Sequence, residues 1–511
     1  MSDKKVIYHE FADIHRIKIV EYLSTQFGWD PLMVTAHTTA PIESYVKSEH
    51  PDIILQNSML LRQAQFDYSK IGSPIPIDAG LINSLSKYEL NCLSIVEDTS
   101  GWNFSYEERK RYYFDILTYW NTVIRRLKPD LIIFFTWPHT AACYPLYLLV
   151  KHYFSVDVLF LDPVPLLNNG YHLIGTSLEN LHSPIVDVYK SSESISPSPQ
   201  VLEYLSLVRS EKGQIPNHIR DTYQKSKKDS QGLRLKMFIH LILGTLRRGS
   251  GLKKSATAWK KNKRPIYLPS SRMNNIENFL STEVRRRKNR RLRKYYDPYC
   301  VQPDFTKKYI YFASSYQPEA ITGTNAGVYA DLILALDIIN SILPEDWIIY
   351  YKENPTIFNG SPWAKGSLRR DKYYYKRIDL NEKTEMISSD YDTFLLIDNA
   401  QAVVTVSGTV AWEAALRGIP SLAFGNAWYM GCESIFWIKT VEDAQTAIDK
   451  IVKGFIPDQK DLERYAAAIE NVAVKDIVQR KFQENIKKCK DPDFEMIRIA
   501  RSLGQMYEKL Y

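Results

Sequence analysis

The residues best suited to hold a phosphate lie in a short turn between an apolar strand and a helix. The apolar run 402–406 is followed by Ser407, Gly408 and Thr409, and a helical pattern begins directly afterwards. A helix N-terminus presents unpaired N–H groups, and a glycine lets an anion approach the backbone. Glu413 follows one helical turn later, where its carboxylate could bind a ribose hydroxyl. An ordinary helix cap with a solvated acid fits the same residues, and both interpretations stay open at this point.

A second candidate is a carboxylate in the segment after the predicted strand at 309–313. Gln317 and Glu319 belong to a polar turn, and a stretch with Gly and Asn leads from it into the next helix. Ligands of open α/β sheets bind at the carboxyl ends of the strands, so the pattern predicts that Glu319 projects into a cleft. A carboxylate there can serve as a general base or a nucleophile. Turn-forming residues with no chemical role are the competing interpretation.

A third candidate lies at the end of the predicted strand at 347–351. Lys352 and Asn354 could reach a phosphate, with Glu353 as a partner for Lys352, and Pro355 ends the segment. Taken singly, these residues also fit a solvated strand end. Three polar strand ends in one predicted sheet make a stronger case together, because ligands of such sheets bind along that edge.

The amino-terminal half offers fewer candidates. Glu10 follows the first predicted strand, and His139 follows the buried run 131–136. By the same rule both would lie on the cleft side, where they could contact a ligand. A histidine that begins a helix and bonds its neighbours explains His139 equally well.

Alternating strand-like and helix-like segments surround these candidates in both halves of the chain. The apolar runs have the continuous hydrophobic pattern of strands buried in parallel sheets. This βαβ rhythm predicts an α/β protein with two Rossmann-like doubly wound domains that face a cleft, joined by a helical basic connection. The predicted limits are an amino-terminal domain at 1–190, a helical basic linker at 191–306, a carboxyl-terminal domain at 307–490, and a final helix at 491–511 able to cross back to the first domain.

Composition and residue counts exclude several classes of protein and site. The 511 residues are 45% hydrophobic and 24% charged, which rules out a collagen and a wholly disordered chain. Five scattered cysteines form no CxxC pair, which argues against a zinc ribbon. All ten histidines lie at or before His240, so a histidine-based metal site in the carboxyl-terminal half is excluded. With no signal-peptide pattern and no apolar run of about 18 residues, the sequence predicts a cytoplasmic protein.

One segment makes this chain basic. Between Leu241 and Cys300 there are 17 Lys and Arg residues and three acids, a net charge of +14, whereas the whole chain carries +8 and the remainder therefore −6. The run from Arg285 to Lys294 is its densest part. This run predicts peripheral docking on an anionic membrane surface, with a solvated basic helix as the alternative. Nucleic acid is disfavoured as a partner, because the charge is confined to one segment.

The three carboxyl-terminal motifs together resemble a known family. The runs YFASSYQPEA, LPEDWIIYYKENP and VVTVSGTVAWEAALRGIPSLAFGNAWY, in this order and spacing, are similar to the bacterial capsule polysaccharide biosynthesis family, which includes Kdo (3-deoxy-manno-octulosonate) transferases. A weaker likeness covers about 126–165. The resemblance implies a GT-B fold, a nucleotide-activated donor bound by the carboxyl-terminal domain, and a glycan or lipid-linked acceptor.

The resemblance also implies roles for individual residues. Glu319 lies on the family's Gln-Pro-Glu motif as the catalytic carboxylate. The residues implied to bind the donor are Gln317, Lys352, Asn354, Ser407, Gly408, Thr409 and Glu413. Glu10 and His139 would then lie on the acceptor side. One departure is Asn354, which stands where the family usually has a histidine that contacts the donor phosphate. Asparagine still donates a hydrogen bond but cannot become cationic, which argues against a CMP-Kdo donor.

The sequence therefore predicts a glycosyltransferase of surface polysaccharide synthesis that uses a CMP- or UDP-linked sugar. No cofactor is expected. No DxD-type motif stands out in a suitable place, so no metal is expected either. The alternatives are a sugar-nucleotide epimerase on the same fold and a non-catalytic factor of capsule assembly or export.

Overall fold

The computed structural model describes residues 4–11, 14–36, 40–62, 64–100, 105–164, 166, 171–192, 194–210, 275–317, 320–358, 366–475 and 491–510. Two seven-stranded sheets organise these residues. The apolar runs of the sequence lie inside the sheets, and all four residues of the strand Leu131–Phe134 are buried. Strands of this kind are typical of parallel sheets that are covered by helices on both faces.

The first sheet is built from β1 (Lys4–Phe11), β2 (Trp29–Ala36), β3 (Ile54–Asn57), β4 (Leu131–Phe134), β5 (Asp157–Val164), β6 (Tyr171–Gly175) and β14 (Val474–Lys475). Its order is β14-β6-β5-β4-β1-β2-β3. The pairs from β3 to β5 are parallel, whereas β6 runs antiparallel to β5 and to β14. The strand order reverses between β1 and β4, which is where doubly wound sheets place their ligand crevice.

The second sheet is built from β7 (Cys300–Val301), β8 (Lys308–Ala313), β9 (Trp347–Lys352), β10 (Thr384–Ile387), β11 (Ala402–Thr405), β12 (Ser421–Ala423) and β13 (Phe436–Trp437). Its order is β13-β12-β11-β8-β9-β10-β7, with parallel pairing throughout. The prediction of an α/β protein with two Rossmann-like doubly wound domains is confirmed.

Helices cover both sheets. Those up to residue 210 are α1 (Ile17–Phe27), α2 (Ala40–Glu49), α3 (Ser58–Arg62), α4 (Ala79–Leu85), α5 (Glu89–Ser100), α6 (Tyr106–Leu127), α7 (Cys143–Leu149), α8 (Ser183–Ser191) and α9 (Pro199–Arg209). Those from residue 275 onward are α10 (Asn275–Tyr296), α11 (Ala320–Asn325), α12 (Leu332–Ile342), α13 (Lys372–Asp379), α14 (Thr393–Asp398), α15 (Val410–Leu416), α16 (Val441–Val452), α17 (Gln459–Val472) and α18 (Pro492–Leu510). Within the described ranges, no helix combines the length and the apolar character needed to cross a bilayer.

The last helix packs on the first domain. Ile499 of α18 and Leu23 of α1 belong to one buried apolar cluster. The Tyr507 hydroxyl donates a hydrogen bond to Asp157 Oδ2 at 2.6 Å. The chain thus returns from the second sheet to the domain that contains its first strand.

Gly504→Val is expected to lower the free energy of unfolding by about 1–3 kcal/mol, because the added side chain overpacks the contact between α18 and α1. A Cβ atom at residue 504 would lie only 2.3 Å from the Phe27 ring. Gln505→Val, on the exposed side of the same helix, is the matched control and should cost roughly 0.5 kcal/mol of helix propensity. Urea unfolding measures both variants, and equal losses would contradict the close packing of the two helices.

The strands β7 and β14 and the helix α10 are examples of elements that lie across the predicted domain limits. β7 belongs to the second sheet although it falls in the predicted linker, and β14 joins the first sheet although it falls in the predicted second domain. α10 also falls in the linker, yet its residues Leu292 and Tyr296 lie in the apolar core of the second domain. Residues 211–274 of the linker lie outside the described residues.

Candidate functional site

Three polar strand ends of the second sheet lie side by side, because β8 has β11 on one side and β9 on the other. At these ends the Ser314 N–H donates to the Lys352 carbonyl at 3.2 Å. The Thr405 hydroxyl donates to the Ala313 carbonyl, also at 3.2 Å. The segments after the three strands therefore leave the sheet at one edge, where the three sequence motifs meet.

This edge faces the corresponding edge of the first sheet. Trp137, shortly after β4, donates its Nε1–H to Thr324 Oγ1 at 2.7 Å, and Thr324 lies in α11, shortly after β8. Arg369 donates to the Ser94 carbonyl of α5 at 2.8 Å, which is a second contact between the domains. Because the segments after β4 and β8 touch, the ligand-binding edges of two doubly wound sheets are opposed.

A buried ion pair ties two of the strand ends together. Arg370 Nε donates to Glu353 Oε2 at 2.8 Å, and both side chains are almost completely buried. The same guanidinium donates through Nη1 to Gln317 Oε1 at 2.9 Å. Gln317 in turn donates to the Ala330 carbonyl. Arg370 thus links the segment after β8 to the segment after β9.

Glu353 is the centre of this network, and the predicted pairing of Glu353 with Lys352 is wrong. Its carboxylate accepts hydrogen bonds from the hydroxyls of Ser314 and Tyr351 as well as from Arg370. Sequence reasoning missed Arg370, because the residue lies beyond the strand motifs and in no recognisable pattern of its own.

Lys352 lies on the opposite face of β9, in a different polar environment. Its ammonium donates to Thr393 Oγ1 at 2.7 Å, and the residue is only 5% exposed. Burial lowers the pKa of Lys352 to about 8, against the opposing influence of the Asp392 and Asp390 carboxylates. A cation that is kept from water gains strongly from an incoming anion such as a phosphate.

Asn354 uses its side chain to shape the turn after β9. Its Oδ1 accepts hydrogen bonds from the Thr356 N–H at 3.0 Å and from the Thr356 hydroxyl at 2.6 Å. These bonds begin the short 3₁₀ turn Pro355–Phe358. Asn354 and Lys352, which the sequence predicts to reach one phosphate, therefore make separate sets of contacts.

Gly408 allows a tight turn after β11. A Cβ atom there would lie 2.9 Å from Thr405 Oγ1, closer than side-chain atoms pack. The Gly408 carbonyl accepts a hydrogen bond from the Tyr429 hydroxyl at 2.7 Å, which holds the turn. Ser407 and Thr409 flank this glycine and are partly exposed, and α15 begins directly afterwards.

Glu413 lies in α15, where the sequence places it on the same side as Thr409. The Thr409 hydroxyl donates to Glu413 Oε1 at 2.9 Å. Burial raises the pKa of Glu413, while Thr409 and Arg417 act in the opposite direction. Burial also raises the pKa of Tyr311, and the Glu413 carboxylate adds to this rise. Tyr311 hydrogen-bonds Thr393, whose hydroxyl also accepts a hydrogen bond from Lys352. Tyr311 and Thr393 therefore lie between Glu413 and Lys352.

Glu319, the predicted catalytic carboxylate, lies outside the described residues, as does Pro318. Both flanks of this pair are described. Gln317 is buried and bonded to Arg370, and the helix that follows contacts the first domain through Thr324.

Glu10 lies at the carboxyl end of β1, beside the point where the first sheet reverses its strand order. Arg62 Nη2 donates to both of its carboxylate oxygens, at 2.8 and 2.7 Å. The Glu10 N–H donates to Thr35 Oγ1 at 2.9 Å. Its backbone is left-handed, with φ 68°, a strained conformation of the kind that clusters at functional sites. The Glu10 side chain is thus buried and paired with Arg62, at the strand end that the sequence predicts.

His9 and Cys143 complete a buried polar cluster with Glu10. His9 Nε2 lies 3.1 Å from Cys143 Sγ, which lies 3.3 Å from Glu10 Oε1. In the part of the chain that the structure describes, these three residues form the one group of possible metal ligands, with ligand atoms within 4.8 Å of one another. A guanidinium already binds both oxygens of Glu10, so we assign no ion to this group.

His139, the other candidate of the first domain, hydrogen-bonds through Nδ1 to the Trp137 carbonyl.

Comparison with known proteins gives structural neighbours only. No protein-family model matches the chain, and a search of curated proteins finds no match. Its structure is similar to UDP-GlcNAc 2-epimerase from Methanocaldococcus jannaschii, at 13% identity and a TM-score of 0.24, over 91% of this chain and 99% of that one.

Two further neighbours have comparable scores. The β-Kdo 2,4 transferase KpsC of Thermosulfurimonas dismutans is 13% identical, with a TM-score of 0.26, over 66% of this chain and 79% of that one. Anabaena Alr3699/HepE in complex with UDP-glucose is 9% identical, with a TM-score of 0.28, over 95% and 99%. Two Rossmann-like domains with opposed carboxyl edges make up a GT-B type fold.

Proposed function

We propose that this chain is a glycosyltransferase of surface polysaccharide synthesis, which transfers a sugar from a nucleotide-activated donor to a glycan or lipid-linked acceptor. The observation that carries the proposal is the opposition of the two carboxyl edges, marked by the hydrogen bond between Trp137 and Thr324. Group transfer needs two substrates that are held against each other in a closed site. Two ligand-binding edges that face each other meet this requirement.

In this proposal the second domain binds the donor. Lys352 supplies a buried cation for a phosphate, and a charge-assisted hydrogen bond is strong in such a dry environment. The turn at Ser407, Gly408 and Thr409 supplies backbone N–H groups for the same anion. Glu413 accepts a ribose hydroxyl in place of the Thr409 hydroxyl that it now binds.

Glu319 is the carboxylate at the reacting carbon. It acts as a base if the sugar inverts its configuration and as a nucleophile if the configuration is retained. Arg370 fixes the beginning of the segment that carries it, through the hydrogen bond to Gln317. The leaving phosphate is stabilised by Lys352 together with the oriented N–H groups.

A thermal-shift screen with CMP, UDP, GDP and CDP compounds tests donor binding. We expect compounds of one base to raise the melting temperature, because a ligand that binds the folded chain stabilises it by mass action. Identifying the nucleotide base also reduces the number of sugars that the donor could carry. A chain that responds to none of them would contradict the proposal and favour a non-catalytic role in capsule assembly or export.

Glu319→Gln is expected to reduce sugar transfer by at least about 100-fold, because the amide can neither accept a proton nor attack carbon. Nucleotide binding should be unchanged, since the phosphate contacts lie on other strands. Calorimetry and a chromatographic transfer assay measure the two properties. Glu345→Gln, at an exposed position before β9, is the matched control. Full turnover by Glu319→Gln would refute the assignment.

A sugar-nucleotide epimerase on the same fold is the second candidate. The opposed carboxyl edges suit this activity as well, because a sugar nucleotide held between two Rossmann-like domains can also react at its sugar carbon. The two activities can be distinguished by incubating the protein, without acceptor, with the sugar nucleotide that raises its melting temperature. An isomer of the donor would indicate an epimerase, whereas an unchanged donor that reacts only with acceptor would indicate a transferase.

A further inference from the structure

Helix α10 has one face that is packed into the second domain. Asn289 is fully buried and accepts a hydrogen bond from the Ser367 N–H at 2.8 Å. Tyr296 donates its hydroxyl proton to the Ile387 carbonyl at 2.5 Å. Leu292 lies between them in the apolar core. These contacts hold the carboxyl-terminal half of the helix against the second sheet.

An ion pair adds to this attachment. Arg293 donates to both carboxylate oxygens of Asp390, at 2.8 and 3.0 Å, and its guanidinium lies 5.2 Å from the centre of the Phe358 ring. Arg286 is also buried. Part of the positive charge of this helix is therefore structural.

The opposite face of the helix is a dense group of cations. Its exposed residues, which we call the cationic face, are Arg287, Lys288, Arg290, Arg291 and Lys294. No acid occurs between residues 284 and 296. Like charges three and four residues apart on a helix repel one another. Acids at this spacing stand only at the two ends of the run, Glu283 before Arg287 and Asp297 after Lys294, so the sequence of the helix leaves most of this positive charge unbalanced.

We propose that the cationic face docks the protein on an anionic phospholipid surface. At 1.5 Å per residue, the five cations lie within about 11 Å along the helix, and all of them are on the side that faces away from the second domain. A flat layer of negative headgroups can therefore attract all five cations at once.

The composition of the cationic face favours a lipid surface over nucleic acid. Tyr295, the aromatic residue next to Lys294, is half-buried against the apolar core of the second domain, whereas single-stranded nucleic acid sites present aromatic side chains on which bases stack. Among the described side chains of this helix, Val284 is the exposed apolar residue, at 53% exposure. The attraction between the cationic face and headgroups is electrostatic, so we expect salt to reverse the binding.

Vesicle flotation with the full-length chain tests this proposal. We expect binding to phosphatidylcholine vesicles that contain phosphatidylglycerol, and none to pure phosphatidylcholine. Replacing all five cations of the cationic face with Gln should weaken binding about fivefold for each charge removed, and so abolish it in practice. Gln keeps helix propensity, and circular dichroism checks that the variant is folded.

The matched control removes the same charge elsewhere. It replaces five exposed lysines with Gln: Lys47, Lys70, Lys453, Lys460 and Lys509. This control should keep most of its binding to anionic vesicles. Equal binding to both kinds of vesicle, equal losses in the two variants, or displacement from vesicles by equimolar duplex DNA would overturn the proposal. None of these residues belongs to the proposed donor site, so the outcome is independent of the transferase assignment.

Discussion

Replacing Arg370 with methionine is expected to lower the free energy of unfolding by about 3–5 kcal/mol. The change leaves the Glu353 carboxylate in the interior without the cation that binds it at 2.8 Å. A charge that is removed from water and left without its counter-ion costs far more than the pair itself contributes. Urea unfolding, followed by tryptophan fluorescence, measures the loss.

A nearby surface pair provides the control. Arg377 binds Asp337 at 2.8 Å, but the two side chains are 54% and 41% exposed. Arg377→Met should therefore cost less than about 1 kcal/mol. If the two methionine variants lose similar amounts, burial does not set the strength of these pairs and the prediction fails.

A double-mutant cycle tests whether Arg370 and Glu353 act as one unit. Glu353→Gln alone leaves the guanidinium of Arg370 without its carboxylate, so it should also be costly. The double variant should lose much less than the sum of the single variants, because neither charge is then left unpaired. Additive losses would contradict the coupling.

Arg370→Met should also affect catalysis at the proposed site. Arg370 donates to Gln317, and Gln317 immediately precedes the segment that carries Glu319. Without this bond the segment after β8 loses a fixed point, and misplacement of a catalytic group by about 1 Å can cost 100-fold in rate. We expect a fall in kcat in Arg370→Met with less effect on nucleotide affinity.

The strands of the candidate site were predictable from sequence because they are continuous apolar runs. The predicted strands 309–313, 347–351 and 402–406 correspond to β8, β9 and β11, which differ from them by one residue at an end. Polar residues directly after such runs must leave a parallel sheet at its carboxyl edge. The meeting of the three motifs follows from this pattern alone.

The hydrogen-bond and ion-pair partners of the side chains were harder to predict from the sequence. The hypothesis that Glu353 pairs with Lys352 conflicts with strand geometry, since successive residues of a strand point to opposite faces. The structure follows this alternation, with Lys352 bonded to Thr393 and Glu353 to Arg370. Arg370 comes from a segment with no motif, so only tertiary packing identifies it.

Short edge strands were missed for a related reason. β7 and β14 contain two residues each, too few to produce a period-2 pattern. Their pairing is determined by neighbouring strands that are distant in sequence. This also explains why the domain limits drawn from composition differ from the division made by the sheets.

Lys352→Met is expected to have two opposite effects: it should stabilise the fold and weaken nucleotide binding. The folded-state pKa of Lys352 is about 8, below the ordinary value of 10.5, so the folded chain holds this charge at a cost. The difference corresponds to about 3 kcal/mol, and loss of the hydrogen bond to Thr393 offsets about 1 kcal/mol of the gain. A net increase of about 2 kcal/mol in the free energy of unfolding is expected near pH 7.

The pH dependence of this gain has a definite sign. Below pH 8 the lysine is protonated in both the folded and the unfolded chain, and its full cost is present. Between pH 8 and 10.5 the folded chain releases the proton first, so the stability of the wild type rises relative to the variant. Unfolding curves of both proteins at pH 7 and pH 10 should therefore converge at the higher pH.

Nucleotide affinity should change in the other direction. A charge-assisted hydrogen bond to a phosphate contributes about 1.5–3 kcal/mol, so Lys352→Met should bind the responding nucleotide about 10- to 100-fold more weakly. Wild-type affinity should itself fall as the pH rises above about 8, where the free site loses its charge. Lys308→Met, at the exposed amino end of β8, is the control and should alter neither property by more than a small amount. A variant that is destabilised, or one that binds nucleotide as the wild type does, would show that Lys352 is held in the structure for packing rather than for an anion.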